Sequence, residues 1–199
     1  MRKISTISII ILLVLVILAI YWLGFKKSVR TTPPSPITTM TQQDSKQVTE
    51  KPSADGTVKL TETVQKTPDG NNSYTFVVTT MKDSTTKTIF NSTEIPTTSY
   101  LIPDNSWSND NKPFFIEKVT PNSIQYLVYK VDGSDYQNSG KFLDVGSFWS
   151  KTKTNLSIKT VTGWASGDLL IVYTTKPDGT DGPHYWFVIS TKSFMLLSS

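Results

Sequence analysis

Very few side chains in this chain could carry chemistry. His184 is the only histidine, and there is no cysteine. A Ser-His-Asp arrangement would have to use His184 as its base. It stands in Gly182-Pro183-His184-Tyr185-Trp186, at the start of an aromatic strand pattern, and the chain has no G-x-S-x-G elbow. One histidine does not build a familiar His-based zinc or copper site. The lack of cysteine excludes disulfides, Cys-ligated zinc, iron–sulfur clusters and thiol nucleophiles. Glu62, Glu94 and Glu117 are the candidates for a glycosidase pair, which needs two acids on facing strands with one in an apolar setting. Their spacing selects no pair. Asp104 with Asp110, Asp132 with Asp135, and Asp178 with Asp181 offer oxygen ligands of the kind calcium takes. None follows an EF-hand loop, and Asp-Gly steps read first as hairpin turns. No cofactor is therefore expected, and calcium is the one ion that the composition leaves open. There is no P-loop and no G-x-G-x-x-G.

Aromatic residues are the one enriched class with a binding use. Tyr100, Trp107, Trp164, Tyr185 and Trp186 could form a face for a carbohydrate or a peptide, since aromatic anchors dominate binding hot spots. A small β domain also needs large side chains to fill its core, and core packing is the first expectation for most of them.

Three kinds of segment must position these residues. The first opens at Ile4 and closes at Phe25; it is uncharged and almost wholly apolar, with Arg2 and Lys3 before it and Lys26, Lys27 and Arg30 after it. As a helix rising about 1.5 Å per residue it would measure roughly 33 Å, enough for a hydrocarbon core of about 30 Å. Tyr21 and Trp22 stand where amphipathic aromatics meet the headgroups. The stretch is longer than a signal-peptide h-region and has no small-x-small site near its end. Residues 1–30 are thus expected to be a single transmembrane anchor in a lipid bilayer. The flanking charges nearly tie under the positive-inside rule. A short N-terminal tail favours a C-terminal part outside the cytoplasm.

The second segment, residues 31–56, carries Pro33, Pro34, Pro36 and Pro52 among Thr, Ser and Gln. It has little apolar surface to bury and reads as a disordered linker. The third, residues 57–199, changes to period two. Val58, Leu60 and Val64 open one strand, and Tyr74, Phe76 and Val78 alternate in the next, across a Pro68-Asp69-Gly70 turn. PFFIEKV and SIQYLVYKV follow as a pair, and DLLIVYTT, HYWFVIS and KSFMLLS close the chain. Residues 144–154 are the one helix candidate after the anchor, with Asp144 as cap and Val145, Phe148 and Trp149 on one face.

The formal net charge of +4 hides an uneven split. Residues 1–56 hold both arginines, five lysines and three acids; residues 57–199 hold thirteen lysines, thirteen acids and no arginine. The basic excess belongs to the membrane flanks. A neutral domain without arginine lacks the footprint of phosphate binding, so nucleic acid is not an expected partner.

Two stretches look alike. NSWSNDNKPFFIEKV with IQYLVYKVDG begins at Asn105, and TGWASGDLLIVYTT with HYWFVISTKSF begins at Thr162. Each has a Trp among small residues, an apolar strand, a turn and an aromatic-rich strand; Trp107 and Trp164 are 57 positions apart. SYTFVVTTMKDSTTKTIF reads as a third copy without its Trp. NSWSNDNKPFFIEK resembles the W-S-P-D-G-x-x-hydrophobic signature of TolB-like, WD40-type β-propeller blades. Asn109 stands where that family prefers Pro, and Asn111 where it prefers Gly. The resemblance implies a Trp packed between blades. A closed propeller takes four or more blades of about 40 to 45 residues, more than residues 57–199 supply at this spacing. The expected fold class is therefore all-β, with propeller-blade-like antiparallel sheets forming a partial propeller or a small sandwich, or one member of an oligomer that completes the ring. The layout also resembles single-anchor envelope proteins of small-genome bacteria.

The expected function is that of a single-pass, membrane-anchored, extracytoplasmic protein. It binds or scaffolds an envelope polymer or a membrane-protein partner without catalysis. The alternative is a membrane-tethered hydrolase of envelope glycans or peptides.

Overall fold

Alternation and turn chemistry together set up the strands. In β3 (Asn72–Thr80) the side chains of Tyr74, Phe76 and Val78 are buried on one face, while Ser73, Thr75, Val77 and Thr79 are half-exposed on the other. β3 pairs with β2 (Val58–Lys66) across the Thr67–Asn71 turn, where Gly70 takes φ +84° and its N–H bonds the Thr67 carbonyl at 2.9 Å. The Asp69 carboxylate accepts from the Asn71 amide at 2.6 Å and from the Thr67 hydroxyl. A short acceptor of this kind lets a turn close on itself.

The computed structural model describes residues 46–197, all within the unit Asp44–Ser199. The expected anchor, residues 1–30, and residues 31–45 of the expected linker lie outside the described residues. Among the described residues no helix is long and apolar enough to cross a membrane.

These residues form three four-stranded antiparallel sheets and one short helix. In each sheet every strand pairs with its neighbour in the chain. The first sheet is β1 (Gln47–Pro52), β2, β3 and β4 (Thr85–Glu94). The middle sheet is β5 (Ser99–Leu101), β6 (Pro113–Thr120), β7 (Ser123–Lys130) and β8 (Phe142–Asp144). The third is β9 (Ser157–Ser166), β10 (Leu169–Thr175), β11 (Tyr185–Val188) and β12 (Ser193–Leu196).

The middle sheet is buried on both faces. Phe114, Ile116, Leu127 and Tyr129 pack against Leu60, Tyr74, Phe76, Val78 and Ile89 of the first sheet. Phe115, Tyr126, Val128 and Leu143, on its other face, pack against Val161, Leu170, Val172 and Phe187 of the third. A strand covered on both sides reads as a continuous apolar run, which is why PFFI lacks alternation. The outer sheets each bury one face and keep the alternation.

Asp144 caps α1 (Val145–Trp149), accepting from the backbone N–H of Gly146 and Ser147, and a 3₁₀ turn follows at Ser150–Thr152. Val145 and Trp149 are buried and Phe148 is partly buried against the same cluster. The folded unit reaches further toward the N-terminus than the expected start at Thr57. β1 lies in the stretch whose composition reads as a linker. It is an edge strand, exposed along nearly its whole length, so it carries no apolar period; its backbone pairs from Gln47↔Val64 to Pro52↔Lys59.

Candidate functional site

Trp107 and Trp164 occupy equivalent places. The Trp107 indole N–H donates to the Lys51 carbonyl at 3.0 Å, and the Trp164 indole N–H to the Ser106 carbonyl at 2.9 Å. Each therefore reaches back from its own sheet to the sheet before, Trp107 to edge strand β1 and Trp164 to the β5–β6 loop. The Asn105 amide adds a bond to the Thr162 carbonyl at 3.2 Å. Trp107 stands in the loop before β6 and bridges to Phe114; Trp164 stands within β9 and pairs with Leu170. A buried Trp needs a partner for its N–H, and a carbonyl of the adjacent sheet supplies one.

The five candidate aromatics occupy three different places. Tyr100 and Trp107 are buried between the first and middle sheets. Tyr100 meets Tyr74, Phe76 and Phe90 edge-on and donates its hydroxyl to Glu94 at 2.9 Å. Trp164 and Tyr185 pack half-buried against the cluster between the middle and third sheets. Trp186, paired with Ile171, lies on the outer face of the third sheet.

The candidate acids are equally dispersed. Glu62 points into the first interface, only 5% exposed, and its Oε1 has no hydrogen-bond partner among the described residues. Burial pushes its carboxyl up to about 7. Burial also raises Glu117, which pairs with Tyr126 on the face of the middle sheet turned toward the third. Burial opposes ionisation of Glu94, yet hydrogen bonds from Lys118 at 2.7 Å, Ser92 at 2.6 Å and Tyr100 hold it below the ordinary range. His184 is exposed and lies against Tyr173, with ring centroids 3.9 Å apart and planes tilted by 46°.

The aspartates are engaged in turns and ion pairs. Asp104 pairs with Lys51 at 2.6 Å, Asp135 with Lys141 at 2.8 Å and Asp181 with Lys159 at 2.5 Å. Asp132 accepts from the Ser134 N–H and hydroxyl, and Asp178 from those of Thr180. Among the described residues no three His, Cys, Asp or Glu side chains come together as a metal set.

A concavity lies between the middle and third sheets, at the end where the β7, β9–β10 and β11 turns meet. It measures about 620 Å³. Pro113, Val131, Ile189 and the ring of Tyr136 give it apolar walls, and Lys112, Lys130, Asp132, Asp168 and Ser166 stand around them. Lys130 is held over the Tyr136 ring, 4.9 Å from its centroid, by a 2.8 Å bond to the Asp135 carbonyl. Asp168 accepts from the Ser190 N–H at 2.8 Å and hydroxyl at 2.6 Å, so its position is fixed from both sides. The Asp110 carboxylate closes one wall against Gly167; a Cβ there would sit 2.6 to 2.8 Å from it. Ammonium donors and carboxylate acceptors around an apolar floor suit a ligand that carries hydroxyls or amides on an apolar frame.

Sequence reasoning passed over Lys112, Lys130, Tyr136 and Asp168. The legible signal was topological. In a meander, alternate turns share one end, and stacked meanders bring those turns side by side.

No protein-family model matches the chain, and comparison with curated proteins finds no match.

Proposed function

We propose that this chain is a membrane-anchored, non-catalytic binding or scaffolding protein of the cell envelope, and that its three meanders are propeller-derived blades. The cavity between the middle and third sheets carries the binding part of the reading. Lys130, Asp132 and Asp168 are each held by a bond to a turn or loop residue, at the rim of an apolar floor, as a recognition site requires. The blade part is supported by the two indole bonds, which repeat between successive sheets. The anchor part rests on residues 4–25 and their basic flanks.

The test is a titration of the full chain in detergent micelles with soluble envelope-glycan fragments and their peptides. The ligand is analysed by mass spectrometry afterwards. Saturable binding that weakens in a Lys130→Ala, Asp132→Asn double variant, with ligand recovered intact, is the expected outcome. Recovery of cleaved ligand replaces this reading with the hydrolase.

A further inference from the structure

The third sheet has an outer face on which no other sheet of the described residues packs; the His184 ring lies on it, against Tyr173. Leu169, Ile171, Tyr173, Trp186, Val188 and Met195 share it, because facing partners in an antiparallel ladder point the same way. Met195 is 52% exposed and the other five are half-buried. No charged side chain stands among these six.

Aligning Trp107 with Trp164 shows what this face corresponds to. Trp107 bridges to Phe114 and Trp164 pairs with Leu170, so Phe114 matches Leu170 and Phe115 matches Ile171. Across the ladders Phe115 faces Val128 and Ile171 faces Trp186, so Val128 matches Trp186. Phe114 and Leu170 both pack backward, onto the preceding sheet, whereas Phe115 and Val128 pack forward, onto the third sheet. Ile171 and Trp186 hold the same forward positions with no sheet before them.

We propose that this face receives the outer face of the first sheet of a second copy of the chain. Both interfaces inside the chain join a forward face to a backward face. A third sheet against a third sheet would join two forward faces and repeat neither. The described unit has one backward face uncovered, that of the first sheet. Thr61, Thr63, Thr75, Val77 and Thr79 stand at its centre, beside Asn91 of β4, on the side opposite Leu60, Phe76 and Val78. β-Branched side chains pack well on a pleated surface, and small methyls opposite Trp186, Tyr173 and Ile171 give the large-against-small filling of a packed layer. The charged pair on that side, Lys59 and Glu50, is already matched at 2.8 Å. Two copies about a two-fold axis make the contact twice, covering both the apolar face of the third sheet and the threonine-rich face of the first.

The absence of cysteine makes the test clean. Full-length Ile171→Cys and Val77→Cys chains are mixed in detergent micelles and treated with a thiol cross-linker that spans the roughly 10 Å between packed sheets. The expected result is a cross-linked dimer in the mixture and in neither variant alone. In parallel, Trp186→Lys should weaken dimerisation of the otherwise unaltered chain by about tenfold or more, read by sedimentation. Cross-linking of Ile171→Cys chains with themselves would overturn the proposal, because it places two third sheets face to face. A monomeric wild-type chain with no cross-link in the mixture would overturn it as well. Neither result bears on ligand binding in the cavity.

Discussion

Glu62 is the side chain whose environment departs furthest from its chemistry. Its carboxyl titrates near 7 in the folded chain against an ordinary 4.5, because burial disfavours the anion. Below pH 4.5 both folded and unfolded chains hold the proton, and the contribution to stability is fully present. As pH rises through 7 the folded chain must accept a buried anion, and that contribution is lost. The cost across this window is on the order of 3 kcal/mol. Thermal unfolding at pH 5 and pH 8 checks this: Glu62→Gln should flatten the fall in stability and leave the variant more stable than wild type at pH 8. Trp164→Phe makes a smaller demand. The Ser106 carbonyl that accepts its indole also accepts the Phe115 N–H at 2.9 Å, so one partner remains. A loss of about 1 kcal/mol is expected in denaturant unfolding.

At the scale of elements, what the sequence made legible was what side-chain period can encode. β2, β3, β10 and α1 carry alternation or a cap and were readable. β1 was not, because its formation rests on backbone pairing at an exposed edge. β9 was not readable either: its ladder with β10 shifts register three times, which breaks the alternation around Trp164. The candidate aromatic face fared differently for a physical reason. Burial and binding select the same large side chains, and only the third dimension separates Tyr100, packed against Phe76, from Trp186 on an outer face. Deleting residues 47–52 from the full chain tests the worth of β1. The deletion bares the β2 edge and removes the carbonyl that Trp107 bonds. A lower Tm and concentration-dependent aggregation are expected in a thermal scan followed by light scattering.

At the scale of the whole molecule, the proposed anchor predicts that the sheets lie outside the cytoplasm. A reporter active only outside the cytoplasm, fused after Ser199, should be active, and one active only inside should be silent. The reverse result would make the chain's β unit cytosolic and give the decisive weight in the flanking charges to Lys26, Lys27 and Arg30.

Pairing each strand only with its neighbour in the chain also has a consequence for the order of events during synthesis. Closing short loops is entropically cheap, so a sheet can form as soon as its four strands have emerged. The first sheet is finished at Glu94 and the middle one at Asp144. From that moment until β9 to β11 follow, Phe115, Tyr126, Val128 and Leu143 face water. The growing chain is therefore most adhesive after Asp144 is made and before β11 is complete at Val188, and any helper that shields it has its work there.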